Sequence, residues 1–252
     1  MYELALFAGA GGGILGARLR GHIIVGAVEI EEYPREVLKQ RMRDGILDEF
    51  PIWDDVSTFR SDNPACNGYM QKLWEIRDEL VISGGFPCQD ISIANPNAEG
   101  IDGKRSGLWR EMERIISEIR PKNVFIENSS QLTVRGGARV IEDLARLGYV
   151  GSYGIMGGVE AGLSADGQRI WILAYEANSQ RRDSPKISSK ISYSEKPWRR
   201  QFKRAIGACV SEGEHSDMLR YPDGLAGRMG AIKAAGNGQM ARLVRLAWGV
   251  LE

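Results

Sequence analysis

The stretch Met1-Tyr2-Glu3-Leu4-Ala5-Leu6-Phe7-Ala8-Gly9-Ala10-Gly11-Gly12-Gly13 decides the fold class. Its apolar run is short and ends abruptly in glycines, so it reads as a buried strand over 2–8 followed by a helix over 12–20. Glycines between a first strand and a first helix let the backbone approach a bound cofactor closely. The Gly9-x-Gly11 spacing alone fits a nicotinamide dinucleotide, a flavin or S-adenosylmethionine. A second strand over 22–29 closes on Glu29, about twenty residues later. A carboxylate at that place accepts hydrogen bonds from ribose hydroxyls, which favours a nucleoside cofactor.

Working outward, strand and helix signals keep alternating. A helix is expected over 32–43, with Val37, Leu38 and Met42 on one face, and an extended piece over 52–56. A buried strand over 80–83 runs into Gly84-Gly85. The helix expected over 108–119 carries Leu108, Met112, Ile115, Ile116 and Ile119 on one face and stops at Pro121. A strand over 123–127, a helix over 138–147 capped by Gly148, and strands over 149–156 and 169–175 complete the series. This order predicts an α/β fold with a doubly wound, mostly parallel sheet.

The alternation fails near Glu176. Residues 178–197 hold six serines and two prolines without an apolar period, and read as an inserted, loop-rich segment. Helical patterning returns over 226–235 and 239–251. The expected organisation is therefore a cofactor-binding and catalytic domain over 1–175, a short inserted region over 176–218, and C-terminal helices over 219–252 that pack back on the first domain.

The net charge of zero hides an asymmetry. Residues 178–210 carry nine Lys/Arg against Asp183 and Glu195, a local charge of +7, so the remainder is −7. A basic block of this kind on a neutral chain predicts contact with a polyanion. Only His22 and His215 are present, which nearly excludes a histidine-based triad or a histidine metal cluster. Cys66, Cys88 and Cys209 show no CxxC pairing, so neither a disulfide framework nor a zinc site is expected, and no metal is called for. Apolar runs such as 23–28 are far too short to cross a bilayer. The N-terminus shows no basic region or cleavage site, and a cytoplasmic location is expected.

Three residue types carry the chemistry. Cys88 follows the 80–83 strand in Gly84-Gly85-Phe86-Pro87-Cys88-Gln89. A cysteine at a strand end, in a loop shaped by glycine and proline, is placed for reactivity rather than packing. Glu127 closes a strand on the same edge, where partial desolvation raises a carboxyl pKa and suits a general acid. Arg169 opens a later strand, and its cationic fork suits a carbonyl oxygen.

Taken together, these segments resemble the cytosine-C5 DNA methyltransferase family in its usual linear order. Phe7-Ala8-Gly9-Ala10-Gly11-Gly12 is similar to the family's cofactor loop, and Glu29-Ile30-Glu31 with Tyr33 to its ribose-binding segment. Asp54-Asp55-Val56 resembles the adenine-reading segment and Pro87-Cys88-Gln89 the nucleophile motif. Gly103-Lys104-Arg105-Ser106-Gly107, Glu127-Asn128-Ser129 and Gln168-Arg169-Ile170-Trp171 follow in order, and Gly236-Asn237-Gly238-Gln239 resembles the closing motif beside the cofactor.

The sequence departs from the family pattern at three places. Ser129 replaces Val, Gly167 stands where the first arginine of Arg-x-Arg is expected, and Gly238-Gln239 replaces small, apolar residues. The resemblance implies a Rossmann-like methyltransferase that uses S-adenosylmethionine and releases S-adenosylhomocysteine. It implies Cys88, Glu127 and Arg169 as catalytic residues acting on a flipped-out cytosine. Phe7, Gly9, Ala10, Gly11, Gly12, Glu29, Ile30, Asp55, Val56, Pro87, Asn237 and Gly238 would then hold the cofactor. Gln89, Arg105, Arg199, Arg200, Lys203 and Arg204 would contact double-stranded DNA, with 176–218 as a short target-recognition region. A monomer in transient complex with DNA is expected. An RNA cytosine substrate, and pairing with a restriction enzyme or a solitary role, stay open.

Overall fold

The inner strands of the central sheet are covered on both faces, which is why they read as near-continuous apolar runs, whereas the edge strand over Tyr149–Met156 is largely exposed. The computed structural model describes residues 1–87, 107–162, 167–177 and 239–252. Among these, seven strands form one sheet: β1 (Tyr2–Leu6), β2 (Ile23–Val28), β3 (Ile52–Trp53), β4 (Leu80–Gly84), β5 (Asn123–Ser129), β6 (Tyr149–Met156) and β7 (Arg169–Glu176). Their spatial order is β3-β2-β1-β4-β5-β7-β6. Strands β1 to β5 pair in parallel, whereas β7 runs antiparallel to both β5 and β6.

The helices are α1 (Gly12–Leu19), α2 (Glu32–Arg43), α3 (Asn67–Glu75), α4 (Leu108–Ile119), α5 (Gly137–Arg146) and α6 (Ala241–Leu251). Alternation along each strand sorts the core into two layers. Leu4, Leu6, Ile82, Ile126 and Ile172 face the apolar stripe of α4, formed by Trp109, Met112, Ile115, Ile116 and Ile119. On the other face, Val81, Phe125, Trp171 and Leu173 pack against Leu243, Val244, Ala247, Trp248 and Leu251 of α6. Ala5 and Ala27 of that face meet Ile14 and Ala17 of α1 and Leu38 of α2. None of the described helices is long and apolar enough to cross a membrane.

One polar cluster lies inside the second layer. Glu3 is 3% exposed and accepts a hydrogen bond from Ser83 Oγ at 2.5 Å. Its other oxygen lies 2.6 Å from His22 Nδ1, whose ring meets Trp248 edge-on at 5.0 Å. Both carboxylate oxygens have partners, which is what makes a charge tolerable at this depth. His22 therefore joins β1 to the start of β2 and to α6, far from the carboxyl edge.

Several sequence expectations need adjustment: the strand expected over 2–8 ends at Leu6, and the extended piece expected over 52–56 is a strand only at Ile52–Trp53. Helix α3 was not anticipated. Strand β5 extends two residues beyond Glu127, to Ser129. The last helix begins at Ala241, after the expected start at 239. The helix expected over 226–235 and the inserted region over 178–218 lie outside the described residues.

Candidate active site

Strands β1 to β5 all end at one edge of the sheet, where ligands of open α/β folds bind. Because β7 is antiparallel, its first residue, Arg169, is delivered to that same edge. Phe7, Gly9, Ala10, Gly11 and Gly12 form the turn from β1 into α1. Glu29 and Ile30 follow β2, Asp55 and Val56 follow β3, Pro87 follows β4, and Glu127 lies near the end of β5. The fold thus gathers every described candidate residue along a single edge.

The glycine-rich turn has a specific geometry. Gly11 caps α1 with φ 86° and ψ 20°, a left-handed conformation that a side chain at this position disfavours. The turn is tied to β2 through Glu29, whose Oε2 accepts from the Gly9 N–H at 2.7 Å and whose Oε1 accepts from the Glu31 N–H at 2.8 Å. Each carboxylate oxygen has a second lone pair, so this tethering leaves acceptor capacity for a ribose. Arg35 Nη1 donates to the carbonyls of Glu29 and Ile30, and the apolar Ile30 side chain is 66% exposed at the edge.

Asp55 shapes the next segment, accepting the Ser57 N–H at 2.8 Å and the Ser57 hydroxyl at 2.7 Å. The segment is anchored from α4. Arg114 donates to the carbonyls of Val56 at 2.9 Å and Phe59 at 3.0 Å, while Glu111 and Glu118 hold its guanidinium at 2.7 and 2.8 Å. Sequence reading overlooked Arg114. Its signal was present as acidic residues three before and four after it on one helix face.

A pocket opens between Phe7, Gly9 and Gly13 on one side and Gly84, Gly85 and Glu127 on the other. A pocket walled by the glycine-rich turn, with a carboxylate bound to that turn that keeps acceptor capacity, matches a nucleoside cofactor, so these residues fit S-adenosylmethionine.

At the β5–β7 end of this edge, Glu127 stands opposite Trp171 across the ladder, and Arg169 is two residues before Trp171. The two are therefore diagonal neighbours on one face. Arg169 Nε lies 2.8 Å from Glu127 Oε1. Gln239, just before α6, donates from Nε2 to Glu127 Oε2 at 3.2 Å. Burial pushes the Glu127 carboxyl upward from its ordinary pKa, against the opposing pull of Arg169 and of the Gln239 hydrogen bond. The result is a carboxyl group suited to holding a proton beside a fixed cation.

The loop after β4 is held from two sides, by Asn128 of β5 and by Trp109 of α4. Asn128 Nδ2 donates to the Phe86 carbonyl at 3.0 Å, and Asn128 Oδ1 accepts from the Ser129 N–H at 2.8 Å. The Phe86 ring packs on Trp109, with centroids 5.6 Å apart. Trp109 Nε1 in turn donates to the buried Asp143 at 2.9 Å. This bracing ends at Pro87. Cys88, Gln89, Arg105, Arg199, Arg200, Lys203, Arg204, Asn237 and Gly238 lie outside the described residues.

A seven-stranded sheet with one antiparallel strand, and a glycine-rich turn after β1, defines the Rossmann-like methyltransferase class. Residues 1–227 match the family model for C-5 cytosine-specific DNA methylases, and the chain belongs to that family. The type II methyltransferase M.NgoBI of Neisseria gonorrhoeae is 29% identical over 183 residues, covering 71% of this chain and 52% of that protein. The type II methyltransferase M.CviJI of Paramecium bursaria Chlorella virus IL3A is 36% identical over 132 residues, covering 52% of this chain and 30% of that protein. The chain thus spans about half the length of the first relative and less of the second. Among solved structures, a DNMT2 variant from Spodoptera frugiperda superposes with a TM-score of 0.63 at 14% identity, over 99% of this chain and 98% of that one. The S. pombe Dnmt2 methyltransferase gives 0.52 at 18% identity, over 72% and 51% of the two chains. At these identities the structures support the fold.

Proposed function

We propose that this chain is an S-adenosylmethionine-dependent DNA methyltransferase that methylates cytosine at C5 through a covalent Cys88 adduct. The observation that carries the reading is the Glu127–Arg169 ion pair, its carboxyl largely shielded and its guanidinium partly exposed, held on the same strand edge as the glycine-rich pocket and as the braced loop leading into Pro87-Cys88. The target cytosine must leave the duplex, because C5 and C6 are inaccessible in the stack.

The Cys88 thiolate attacks C6, forming a carbon–sulfur bond. Glu127 donates a proton or hydrogen bond to N3, and Arg169 holds O2, so negative charge developing on the ring meets fixed partners. When bound, S-adenosylmethionine supplies a methyl group on a positively charged sulfur. The C5–C6 π pair displaced onto C5 by the addition would take up that methyl group, the S–CH3 pair staying on sulfur as S-adenosylhomocysteine leaves. Loss of the C5 proton then returns an electron pair to the ring and expels Cys88 as thiolate. Phe7, Gly9, Ala10, Gly11, Gly12, Glu29, Ile30, Asp55, Val56, Pro87, Asn237 and Gly238 bind the cofactor.

Residues 1–175 are assigned the cofactor and the chemistry, 176–218 target recognition, and 219–252 closure of the cofactor side. Gln89, Arg105, Arg199, Arg200, Lys203 and Arg204 contact double-stranded DNA, and the enzyme acts as a monomer. The test is bisulfite sequencing of plasmid DNA from cells expressing the chain, beside Cys88→Ser, in a host without cytosine methylases. Protected cytosines in one short recurring context, absent with Cys88→Ser, are expected. Protection that persists with Cys88→Ser refutes the mechanism. An unprotected plasmid with folded, cofactor-binding protein refutes the DNA substrate.

A further inference from the structure

Gln239 is the residue at which three parts of the site meet. Its backbone lies so close to the start of α1 that a Cβ on Gly12 would overlap its carbonyl, and its side-chain oxygen crowds Gly13 in the same way. Across the pocket, a Cβ on Gly85 would fall 2.9 Å from Gln239 Nε2 and 2.6 Å from Glu127 Oε2. Gly12 therefore leaves room for the Gln239 backbone, and Gly13 and Gly85 for its side chain. Its Nε2 ends 3.2 Å from Glu127 Oε2, the oxygen that Arg169 does not hold. The family pattern has a small, apolar residue here, which forms no such bond.

We propose that Gln239 is a positioning residue for Glu127, fixing the plane of its carboxyl group and joining the acid to the glycine-rich turn of the cofactor pocket. An amide suits both states of the acid. Its N–H donates to the ionised carboxylate, and its carbonyl, after a half-turn, accepts from the protonated one. Arg169, from β7, is the charged group bonded to Glu127 among the described residues, while the β4 side presents Gly85. Gln239 thus supplies the neutral, reversible half of the grip and Arg169 the permanent half. The assignment of a catalytic role to Glu127 rests on the proposed function; the grip itself does not.

The test titrates Glu127 directly in the full chain by carbon-13 resonance of labelled glutamate carboxyls, assigned with Glu127→Gln. Gln239→Met keeps the length of the side chain and removes the donor. Its Glu127 titration is expected to move upward by about one pH unit, the size of one lost charge-assisted hydrogen bond. Gln239→Glu places a second carboxyl group beside the first and is expected to move it further, because two adjacent carboxyls share a proton. In methyl transfer with Gln239→Met, the alkaline limb of the kcat profile moves in step, and the plateau falls about tenfold through lost orientation. An unmoved titration in both variants overturns the proposal. So does a raised KM with unchanged kcat, which assigns Gln239 to cofactor binding alone. A wild-type chain that transfers no methyl group refutes the proposed function, while the titration still decides what Gln239 does to Glu127.

Discussion

Replacing Asn128 by alanine tests whether the loop that carries Cys88 is held from beneath. Asn128 and Phe86 are each 2% exposed. Asn128→Ala deletes the bond to the Phe86 carbonyl and the bond from the Ser129 N–H. The buried carbonyl is left without a partner at a cost of about 1–3 kcal/mol, whereas the half-buried Ser129 N–H recovers much of its bond from water. Together these amount to about 2–4 kcal/mol, or about 5–15 °C in Tm for a chain of this size. Phe86 lies two residues before Cys88, so a displacement of about 1 Å there lowers single-turnover methyl transfer by roughly a hundredfold. Asn128→Asp separates the two bonds. It still accepts from Ser129 but cannot donate to Phe86, and its charge faces the carbonyl. Calorimetric unfolding and single-turnover transfer would be measured on both variants, with S-adenosylhomocysteine titration as the control. Wild-type Tm and full transfer rate in both would show that the loop is positioned by something else.

Three further outcomes test the proposed function. Cys88→Ser is expected to bind S-adenosylhomocysteine as the wild type does while losing methyl transfer; wild-type-like turnover in a tritium-transfer assay would exclude a covalent Cys88 route. Arg114→Met releases the Val56 and Phe59 carbonyls, and KM for the cofactor should rise about fivefold to tenfold with a smaller change in kcat; an unchanged KM would detach the Val56 segment from cofactor binding. Replacing Arg199, Arg200, Lys203 and Arg204 together by alanine should weaken binding to all duplex sequences and reduce the slope of log K against log salt by up to about 4, and an identical salt dependence would remove these residues from the interface.

The parts of the fold that were legible in sequence are those where one signal dominates. Helix α2 spans Glu32–Arg43 as its apolar spacing predicts, and α4 spans Leu108–Ile119 because a wide stripe and Pro121 bound it. Helix α3 was missed because its apolar content reduces to Met70 and Leu73 as buried residues, and no side chain caps its start at Cys66. The reversed direction of β7 is written in no single residue. It was available from the connection, since two strands with no helix between them favour antiparallel pairing.

At the site, Glu127 and Arg169 could be named from their strand positions, but their diagonal pairing needed the β5–β7 register. Asn128, Arg114 and Gln239 act through backbone carbonyls or through Glu127 rather than on a reactant. Such roles depend on distances between segments far apart in sequence, so local patterning does not reveal them. The departure at Gln239 was visible as a break in the family pattern, though its partner was not.

The reversed direction of β7 also fixes where the stretch between β7 and α6 leaves and rejoins the core. Glu176 ends β7 at the edge away from the site, beside Lys122, whereas Gln239 begins the approach to α6 at the site edge. Any chain joining them must return along the height of the sheet, a distance of about eight extended residues. The stretch 178–238 is much longer than that minimum, and both of its attachment points belong to the fixed core. In the proposed function, where 176–218 reads the target, such a stretch could be lengthened, shortened or exchanged between these fixed attachment points, altering which duplex is chosen while the edge that carries Glu127 and Arg169 is inherited intact.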